Sequence, residues 1–369
     1  MSNQYQKRLN DFIQHLEKQQ VDLAIVNSPK NVFYYTGFQS EPYERFMALV
    51  IDLRNQKNYL FVPALDQEAA EESSFVKEII PISDELNPYK VLKDTIGEGV
   101  QSIGLETKNT SLFQQEQLRY FFPDFSYQNI GDFITFQRMR KSPEECRKVQ
   151  HAVQVIEKVL KEGITRIKDG TTELDLVAEL EYLMRKFGAD GPSFSTTVLS
   201  GEKSSLPHGS PNRKKLNHGD FLLIDMGVIV DGYCSDITRT FVMGEETAEQ
   251  RRIYDIVREA TKEGILAAKA GVSAGSVDIA ARNVIQTNGY GQYFNNRVGH
   301  GLGIEVHEEP SIHEKNELTL EPGFLFTIEP GIYIPGYGGV RIEENVYIGE
   351  DGKAEVLTTF PTELIKIGY

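Results

Sequence analysis

The chain has 369 residues, with 39 lysines and arginines against 54 aspartates and glutamates, and so a formal net charge of −15. This length predicts two domains, and a composition of 40% hydrophobic and 25% charged residues excludes wholesale disorder. The acidic balance argues against nucleic acid and anionic membranes as partners, because both require clustered basic side chains. The two cysteines, Cys146 and Cys234, are too few for a disulfide framework, and Cys234 is interpreted as a small buried thiol.

The polar N-terminus has no apolar run long enough for a signal peptide. No stretch approaches the roughly 20 consecutive apolar residues of a membrane span. We therefore expect a cytoplasmic protein without a membrane partner.

The first part of the chain alternates between helical and strand patterns. A polar helix is predicted over residues 4–20, Pro63 suits the first turn of another helix, and a third helix is predicted to stop near Pro123. Strands are predicted at the apolar runs 23–26, 46–51, 59–62 and 102–105. The alternation predicts an α/β domain with a mixed sheet, and it contains no phosphate-binding loop.

A domain boundary is predicted where a basic segment, residues 138–141, ends the first part of the chain. Ser142, Pro143 and Glu145 then supply an N-cap, a first-turn proline and a third-position glutamate. A long helix is predicted from there to about Ile167. The resulting domains are residues 1–135 and 136–369.

The second domain contains a faint internal repeat. A Lys-x-Gly motif at residues 168–170 precedes one predicted helix, and the same motif at 269–271 precedes another. Each copy follows a long helix and leads into β-rich sequence with acidic residues. The alternative is that both motifs are only a helix stop followed by the next N-cap. A genuine repeat predicts a two-fold-like domain with a site between its halves.

A predicted hairpin carries two carboxylates. The apolar strand 221–230 contains Asp225, an Asp-Gly turn follows, and the return strand 233–241 contains Asp236. A two-residue turn pairs Asp225 with Thr238 and places Asp236 diagonally on the same face. Because two buried carboxylates repel each other, a cation between them is favoured over a pair that is hydrogen-bonded to the backbone.

Further candidate residues stand in other apolar or glycine-rich segments. His300 and His307 share a glycine-rich stretch whose spacing does not fit a nucleotide loop. Glu329 ends an apolar strand, and Arg341 and Glu343 share a face of a strand predicted over 339–346. Structural histidines and strand-end salt bridges are the alternatives.

Together these segments offer four carboxylates and one imidazole: Asp225, Asp236, His300, Glu329 and Glu343. Without a thiolate, this set suits divalent Mn, Co, Fe or Zn. Five ligands exceed the needs of one tetrahedral ion. A two-metal site with ions about 3.5–4 Å apart, which activates water for hydrolysis, fits the set better.

Five stretches of the second domain resemble the pita-bread metallopeptidases, the family of methionine aminopeptidase, Xaa-Pro aminopeptidase and Xaa-Pro dipeptidase (prolidase). In chain order they are LSGEKSSLPHG, LLIDMGVIVDGYCSDITRTF, VGHGLGIEVHEEP, FTIEPGIYIPG and GGVRIEENV. Upstream, VFYYTGF and FVPALDQEAA resemble the creatinase-like N-terminal domain, which methionine aminopeptidases usually lack. The resemblance implies an α/β creatinase-like domain followed by an α+β pita-bread catalytic domain with internal pseudo-two-fold symmetry, and it is strongest to the short bacterial Xaa-Pro dipeptidases.

The resemblance also implies a role for each candidate residue. The five ligands named above would hold two divalent ions, Mn in the first place with Co or Zn as alternatives, and Asp236 and Glu343 would bridge them. His208 and His307 match the family's two catalytic histidines, which contact the substrate or the developing oxyanion. Glu329 matches the carboxylate that relays the proton of the attacking water, and Arg341 matches the arginine that supports the bridging carboxylate or the substrate.

The implied activity is hydrolysis of the Xaa-Pro bond in dipeptides, by a homodimer. The alternative is an Xaa-Pro aminopeptidase that acts on longer peptides, whereas the complete ligand set counts against a metal-free binding module and a creatinase-like hydrolase. One departure concerns the arginine with which some prolidases grip the substrate carboxylate, because the corresponding stretch 316–320 contains none. The charged loop 39–45 is a candidate for closing the site of a partner subunit, with a solvated loop as the alternative.

Overall fold

The computed structural model describes residues 2–368 and divides the chain into two compact units, Met1–Gln137 and Arg138–Tyr369. Each unit has its own sheets and its own hydrophobic core. The domain bounds 1–135 and 136–369 stay a prediction beside these units. No helix among the described residues is long and apolar enough to cross a lipid bilayer.

The first unit is an α/β structure built on one sheet. Its helices are α1 (Ser2–Lys18), α2 (Pro29–Thr36), α3 (Gln67–Ser73), α4 (Pro88–Ile96), α5 (Leu112–Phe121) and α6 (Gly131–Met139), the last of which ends just beyond the unit. Its strands are β1 (Leu23–Val26), β2 (Ala48–Asp52), β3 (Lys57–Pro63), β4 (Glu78–Ile82), β5 (Ser102–Leu105) and β6 (Ser126–Asn129). The strand order is β4-β3-β2-β1-β5-β6, and antiparallel pairs at β1–β2 and β2–β3 stand beside parallel pairs elsewhere. The predicted mixed sheet is therefore confirmed.

The second unit has four helices and fourteen short strands among the described residues. The helices are α7 (Pro143–Ile164), α8 (Glu173–Lys186), α9 (Ala248–Ala267) and α10 (Ala274–Thr287). The strands are β7 (Gly191–Pro192), β8 (Thr197–Ser200), β9 (Phe221–Met226), β10 (Val228–Val230), β11 (Tyr233–Cys234), β12 (Ile237–Met243), β13 (Gly299–Gly301), β14 (Glu308–Ile312), β15 (Leu325–Ile328), β16 (Gly331–Ile334), β17 (Gly338–Arg341), β18 (Glu344–Ile348), β19 (Ala354–Val356) and β20 (Lys366–Ile367). Two sheets dominate, with the orders β20-β12-β9-β8 and β14-β13-β15-β18-β19.

The predicted start of α7 is confirmed in its details. The Ser142 side chain accepts a hydrogen bond from the Glu145 backbone N–H, and the Glu145 carboxylate accepts one from the Ser142 N–H at 2.9 Å. This reciprocal pair satisfies two N–H groups that a helix start otherwise leaves without partners. The helix ends at Ile164, three residues before the predicted end near Ile167.

The helical part of the second unit repeats one arrangement. A long helix is followed by a glycine with positive φ, an N-cap and a shorter helix, first as α7 and α8 and then as α9 and α10. The turn glycines are Gly170 (φ 81°) and Gly271 (φ 88°), and the N-caps are Thr172 and Ser273. Antiparallel strands follow each helix pair, so both copies of the faint sequence repeat have the same order of elements.

Candidate metal centre

The predicted hairpin forms with its expected register, in which Asp225 of β9 pairs with Thr238 of β12. The strands predicted as continuous are nevertheless interrupted, at Gly227 on one side and at Ser235–Asp236 on the other. A Cβ atom at position 227 would lie 2.0 Å from the Ser235 carbonyl oxygen, so only glycine permits this approach of the two chains. The prediction of unbroken strands is therefore wrong at the place where Asp236 is presented.

Two other candidate carboxylates also lie at strand ends. Glu329 follows the last residue of β15, and Glu343 lies between β17 and β18. The strand predicted over 339–346 is thus wrong as a single element. Side chains alternate strictly between the two faces of a regular strand. A break in the strand ends this alternation, so that side chains from consecutive segments can point towards the same site.

All eight predicted site residues line one cleft of the second unit, with a volume of about 1160 Å³. They are His208, Asp225, Asp236, His300, His307, Glu329, Arg341 and Glu343. The structure thus brings together residues that are more than a hundred positions apart in the chain.

The densest part of the cleft consists of three buried side chains. Asp236, His300 and Glu343 each offer a ligand atom, and these atoms all lie within 4.8 Å of one another. As whole residues they are 4%, 3% and 1% exposed, so water is largely excluded from the three of them. Glu329 adjoins the group, with its Oε1 3.1 Å from His300 Nε2.

Asp225 is not one of these three residues, and it pairs with Arg341. The Arg341 Nη2 atom lies 2.5 Å from Asp225 Oδ2, and its Nε lies 3.8 Å from Glu329 Oε2. Arg341 therefore pairs with Asp225, although the sequence places it on the same strand face as Glu343. Burial raises the pKa of Asp225, whereas Arg341 lowers it and Glu329 raises it further.

Two oxygens of the group are buried and accept no hydrogen bond from any described residue, Asp236 Oδ1 and Glu343 Oε1. Burial, reinforced by neighbouring carboxylates, raises the pKa of Asp236 and of Glu343 well above the ordinary range. Leaving buried acceptors without partners costs free energy, and packing like charges together costs more. A divalent cation removes both penalties, so this donor set fits a metal site.

Hydroxyl groups that the sequence analysis did not single out hold the ligands in place. Thr238 donates to Glu343 Oε2 at 2.8 Å, and Thr327 donates to Glu329 Oε1 at 3.1 Å. Each threonine lies two residues from a candidate ligand, Asp236 or Glu329, and the period-two alternation of a strand could have pointed to both.

The two predicted catalytic histidines lie on the cleft wall. The His307 ring meets the His300 ring edge-on, with 4.1 Å between centroids and 74° between planes. Partial burial, followed by the neighbouring His300 and Arg297, lowers the pKa of His307 to about 4. His307 is therefore neutral at physiological pH. His208 is exposed on the loop that follows a 3₁₀ turn at Gly201–Ser205.

The loop that carries His208 is anchored by Glu173, a fully buried carboxylate at the start of α8. Glu173 accepts hydrogen bonds from the backbone N–H groups of Ser200 at 2.9 Å and Asn212 at 3.0 Å, which lie before and after the loop. It also pairs with Lys203, whose Nζ donates to the Ser210 carbonyl at 3.1 Å. One side chain thus fixes both ends of the segment that presents His208.

Cys234 is 2% exposed, and its sulfur lies 3.4 Å from the Ile304 carbonyl oxygen. The interpretation of this residue as a small buried thiol is confirmed. Neither Cys146 nor Cys234 forms a disulfide, and neither lines the cleft.

Comparison with known proteins agrees with this architecture. Residues 147–350 match the model of metallopeptidase family M24, and residues 8–140 match the creatinase/prolidase N-terminal domain. YkvY of Bacillus subtilis (strain 168), a protein named provisionally as a dipeptidase, is 39% identical over 345 residues, which cover 93% of this chain and 94% of YkvY.

Two solved structures resemble the chain over nearly its whole length. The prolidase from Pyrococcus horikoshii OT3 is 35% identical with a TM-score of 0.90, covering 97% of this chain and 100% of that one. The X-Pro aminopeptidase from Thermotoga maritima MSB8 is 33% identical with a TM-score of 0.87, covering 96% and 100%. The predicted creatinase-like and pita-bread fold is thereby confirmed, and the chain belongs to metallopeptidase family M24.

Proposed function

We propose that this metallopeptidase hydrolyses the peptide bond before proline in Xaa-Pro dipeptides with the help of two divalent ions. The observation that carries the proposal is the buried group of Asp236, His300 and Glu343, in which two carboxylate oxygens accept no hydrogen bond among residues 2–368. The similarity to the prolidase from Pyrococcus horikoshii OT3 supports the choice of the substrate.

The ions would be held by Asp225, Asp236, His300, Glu329 and Glu343, with Asp236 and Glu343 shared between them. Carboxylates and an imidazole without a thiolate favour Mn, with Co or Zn as alternatives. When bound, such a pair supplies Lewis acidity and a nucleophilic water at neutral pH. On the protein side, the His300 Nδ1 atom lies 3.1 Å from the Gly301 carbonyl. An Nδ1–H that donates to this carbonyl leaves the lone pair of Nε2 free to act as a ligand.

Glu329 is proposed to move the proton. Thr327 and Arg341 approach its two oxygens, which fixes the orientation of the carboxylate. From this position Glu329 takes a proton from the attacking water and delivers it to the leaving proline nitrogen as the carbon–nitrogen bond breaks. That nitrogen carries no N–H in the substrate, so the site needs no acceptor for it before the bond is broken.

The two wall histidines are proposed to stabilise the charge on the substrate carbonyl oxygen. A neutral imidazole donates one N–H, and the lowered pKa of His307, about 4, keeps it in that form at neutral pH. His208 lines the same cleft on an anchored loop. Hydrogen bonds that are aimed at a developing oxyanion are among the strongest contributions to catalysis.

The second candidate function is that of an Xaa-Pro aminopeptidase, which the 33% identity to the Thermotoga maritima enzyme supports. The complete set of five candidate ligands in one cleft weighs against the metal-free module and the creatinase-like hydrolase. The cytoplasmic location, the homodimer and the role of the loop 39–45 stay predictions.

The test compares Ala-Pro with Ala-Pro-Ala in the presence of Mn. We expect a clearly higher kcat/KM for Ala-Pro, measured as release of alanine with identical enzyme and metal concentrations. Efficient cleavage of the tripeptide would overturn the dipeptidase assignment in favour of the aminopeptidase. Failure to cleave either peptide would overturn both.

A further inference from the structure

We propose that Arg297 binds the terminal carboxylate of the substrate and thereby selects dipeptides. This inference rests on the proposed function, because it assigns a binding group to one end of an Xaa-Pro substrate. It addresses the departure noted above, since residues 316–320 offer no arginine for this purpose.

The positively charged residues of the cleft point to Arg297 as the group that can bind a carboxylate. Among the described residues that line the cleft, only Arg297 and Arg341 carry a permanent positive charge. Arg341 is 4% exposed, and its guanidinium bonds Asp225, Tyr333 at 2.9 Å and Thr238 at 2.9 Å. A guanidinium that already makes these hydrogen bonds has few N–H donors left for a ligand.

Arg297 makes fewer hydrogen bonds than Arg341. Its side chain is partly exposed, and its Nη1 donates to Ser311 Oγ at 3.0 Å. It forms no ion pair with any residue between 2 and 368, although four carboxylates line the same cleft. A guanidinium has five N–H donors in a planar fork that matches a carboxylate, so most of its donors remain for an anionic ligand.

The backbone around Arg297 is held rigidly from helix α10. Asp278 is fully buried and accepts a hydrogen bond from the Val298 N–H at 3.0 Å. Its ion-pair partner Arg282 donates to the carbonyls of Phe294 at 3.0 Å and Asn296 at 2.7 Å. The backbone is therefore fixed on both sides of Arg297, which lowers the entropy cost of using this residue as a binding group.

The contact of Arg297 with Ser311 places its guanidinium beside the strand that carries His300. Its contact residue Ser311 pairs directly with His300 in the β13–β14 ladder. Residues opposite each other in such a ladder have Cα atoms about 4.5–5.5 Å apart. In Xaa-Pro, a single proline Cα separates the scissile amide from the carboxylate, and one residue spans about 3.8 Å. The guanidinium therefore lies beside the residue opposite His300, and the carboxylate of a dipeptide follows the scissile amide at the distance of a single residue.

The test measures Ala-Pro against Ala-Pro-amide, which lacks only the terminal charge. The wild type is expected to prefer the free acid. Arg297→Gln should raise the KM for Ala-Pro by about 10- to 100-fold, as expected for the loss of a charge-assisted hydrogen bond, with little change in kcat. The KM for the amide should stay the same, so that the preference for the acid disappears.

Two variants complete the comparison. Arg297→Lys keeps the charge without the planar fork and should retain part of the preference. Arg147→Gln, on the exposed face of α7, is the matched control and should leave both substrates unaffected. Metal content and thermal unfolding verify that each variant is folded and loaded.

The outcomes separate this inference from the proposed function. A wild type that cleaves neither substrate would overturn the proposed function and the inference with it. A wild type that cleaves both, together with an Arg297→Gln variant that keeps the preference or loses activity equally on both, would overturn only the role of Arg297. If the variants do not fold, inhibition of the wild type decides: stronger inhibition by proline than by prolinamide supports the role, and equal inhibition overturns it.

Discussion

At the residue scale, the free-energy cost of folding the metal-free site is concentrated in two carboxylates. Asp236 Oδ1 and Glu343 Oε1 are buried without a hydrogen-bond partner among the described residues, and their neighbours are further acids. Such an arrangement destabilises the folded chain by itself. The same arrangement that lowers the stability of the folded chain favours the binding of a cation.

We therefore expect Asp236→Asn to have opposite effects on the unfolding temperature with and without metal. The pKa of Asp236 is raised in the folded protein, so ionisation of this carboxyl group above its ordinary pKa lowers the free energy of unfolding. The neutral amide of the variant avoids this loss and should raise the unfolding temperature of the metal-free protein by a few degrees at pH 7. With Mn present, the wild type should be the more stable protein, because the variant loses a ligand. Scanning calorimetry with and without chelator measures both effects.

The matched control is Asp255→Asn, because the Asp255 side chain is 54% exposed on α9. It should change neither unfolding temperature appreciably. An Asp236→Asn variant that binds Mn with the wild-type stoichiometry, or that is destabilised without metal, would contradict the assignment of Asp236.

At the scale of elements, the cleft depends on loops that are fixed by distant side chains. Glu173 joins the start of α8 to both ends of the loop that carries His208. In Glu173→Gln, one of the two carboxylate oxygens becomes an NH₂ group, which cannot accept a hydrogen bond. We expect kcat/KM to fall on the order of 10- to 100-fold, because a displaced catalytic group costs about this much.

A double variant distinguishes positioning from a general loss of stability. If Glu173 acts through His208, then Glu173→Gln should cost little further activity in a His208→Ala background. Equal losses in both backgrounds, measured at a temperature at which every variant is folded, would show that Glu173 acts independently of His208.

The elements also show what the sequence predicts and where it fails. The capping box of Ser142 and Glu145, and the hairpin register at Asp225 and Thr238, follow from local patterns of a few residues, and both are correct. The strand breaks beside Asp236 and Glu343 do not follow, because they depend on contacts such as that between Gly227 and Ser235. The anchoring of a loop by Glu173 joins residues 39 positions apart and leaves no local pattern.

At the scale of the whole molecule, the acid excess acquires a more specific meaning. Most of the formal charge of −15 lies outside the cleft, but four acids of the proposed site lie together in it. Two divalent ions would neutralise these four. The eight predicted site residues come from widely separated segments, and the family motifs identified them together because each motif marks one of these segments.

The most direct test of the central claim is a titration of chelator-treated protein with Mn, in which proline release from Ala-Pro is followed as a function of ions bound per chain. The metal-free protein should release almost no proline, and proline release should rise with added Mn to a plateau at two ions per chain. Full activity without metal, or no proline release at any metal loading, would contradict this claim.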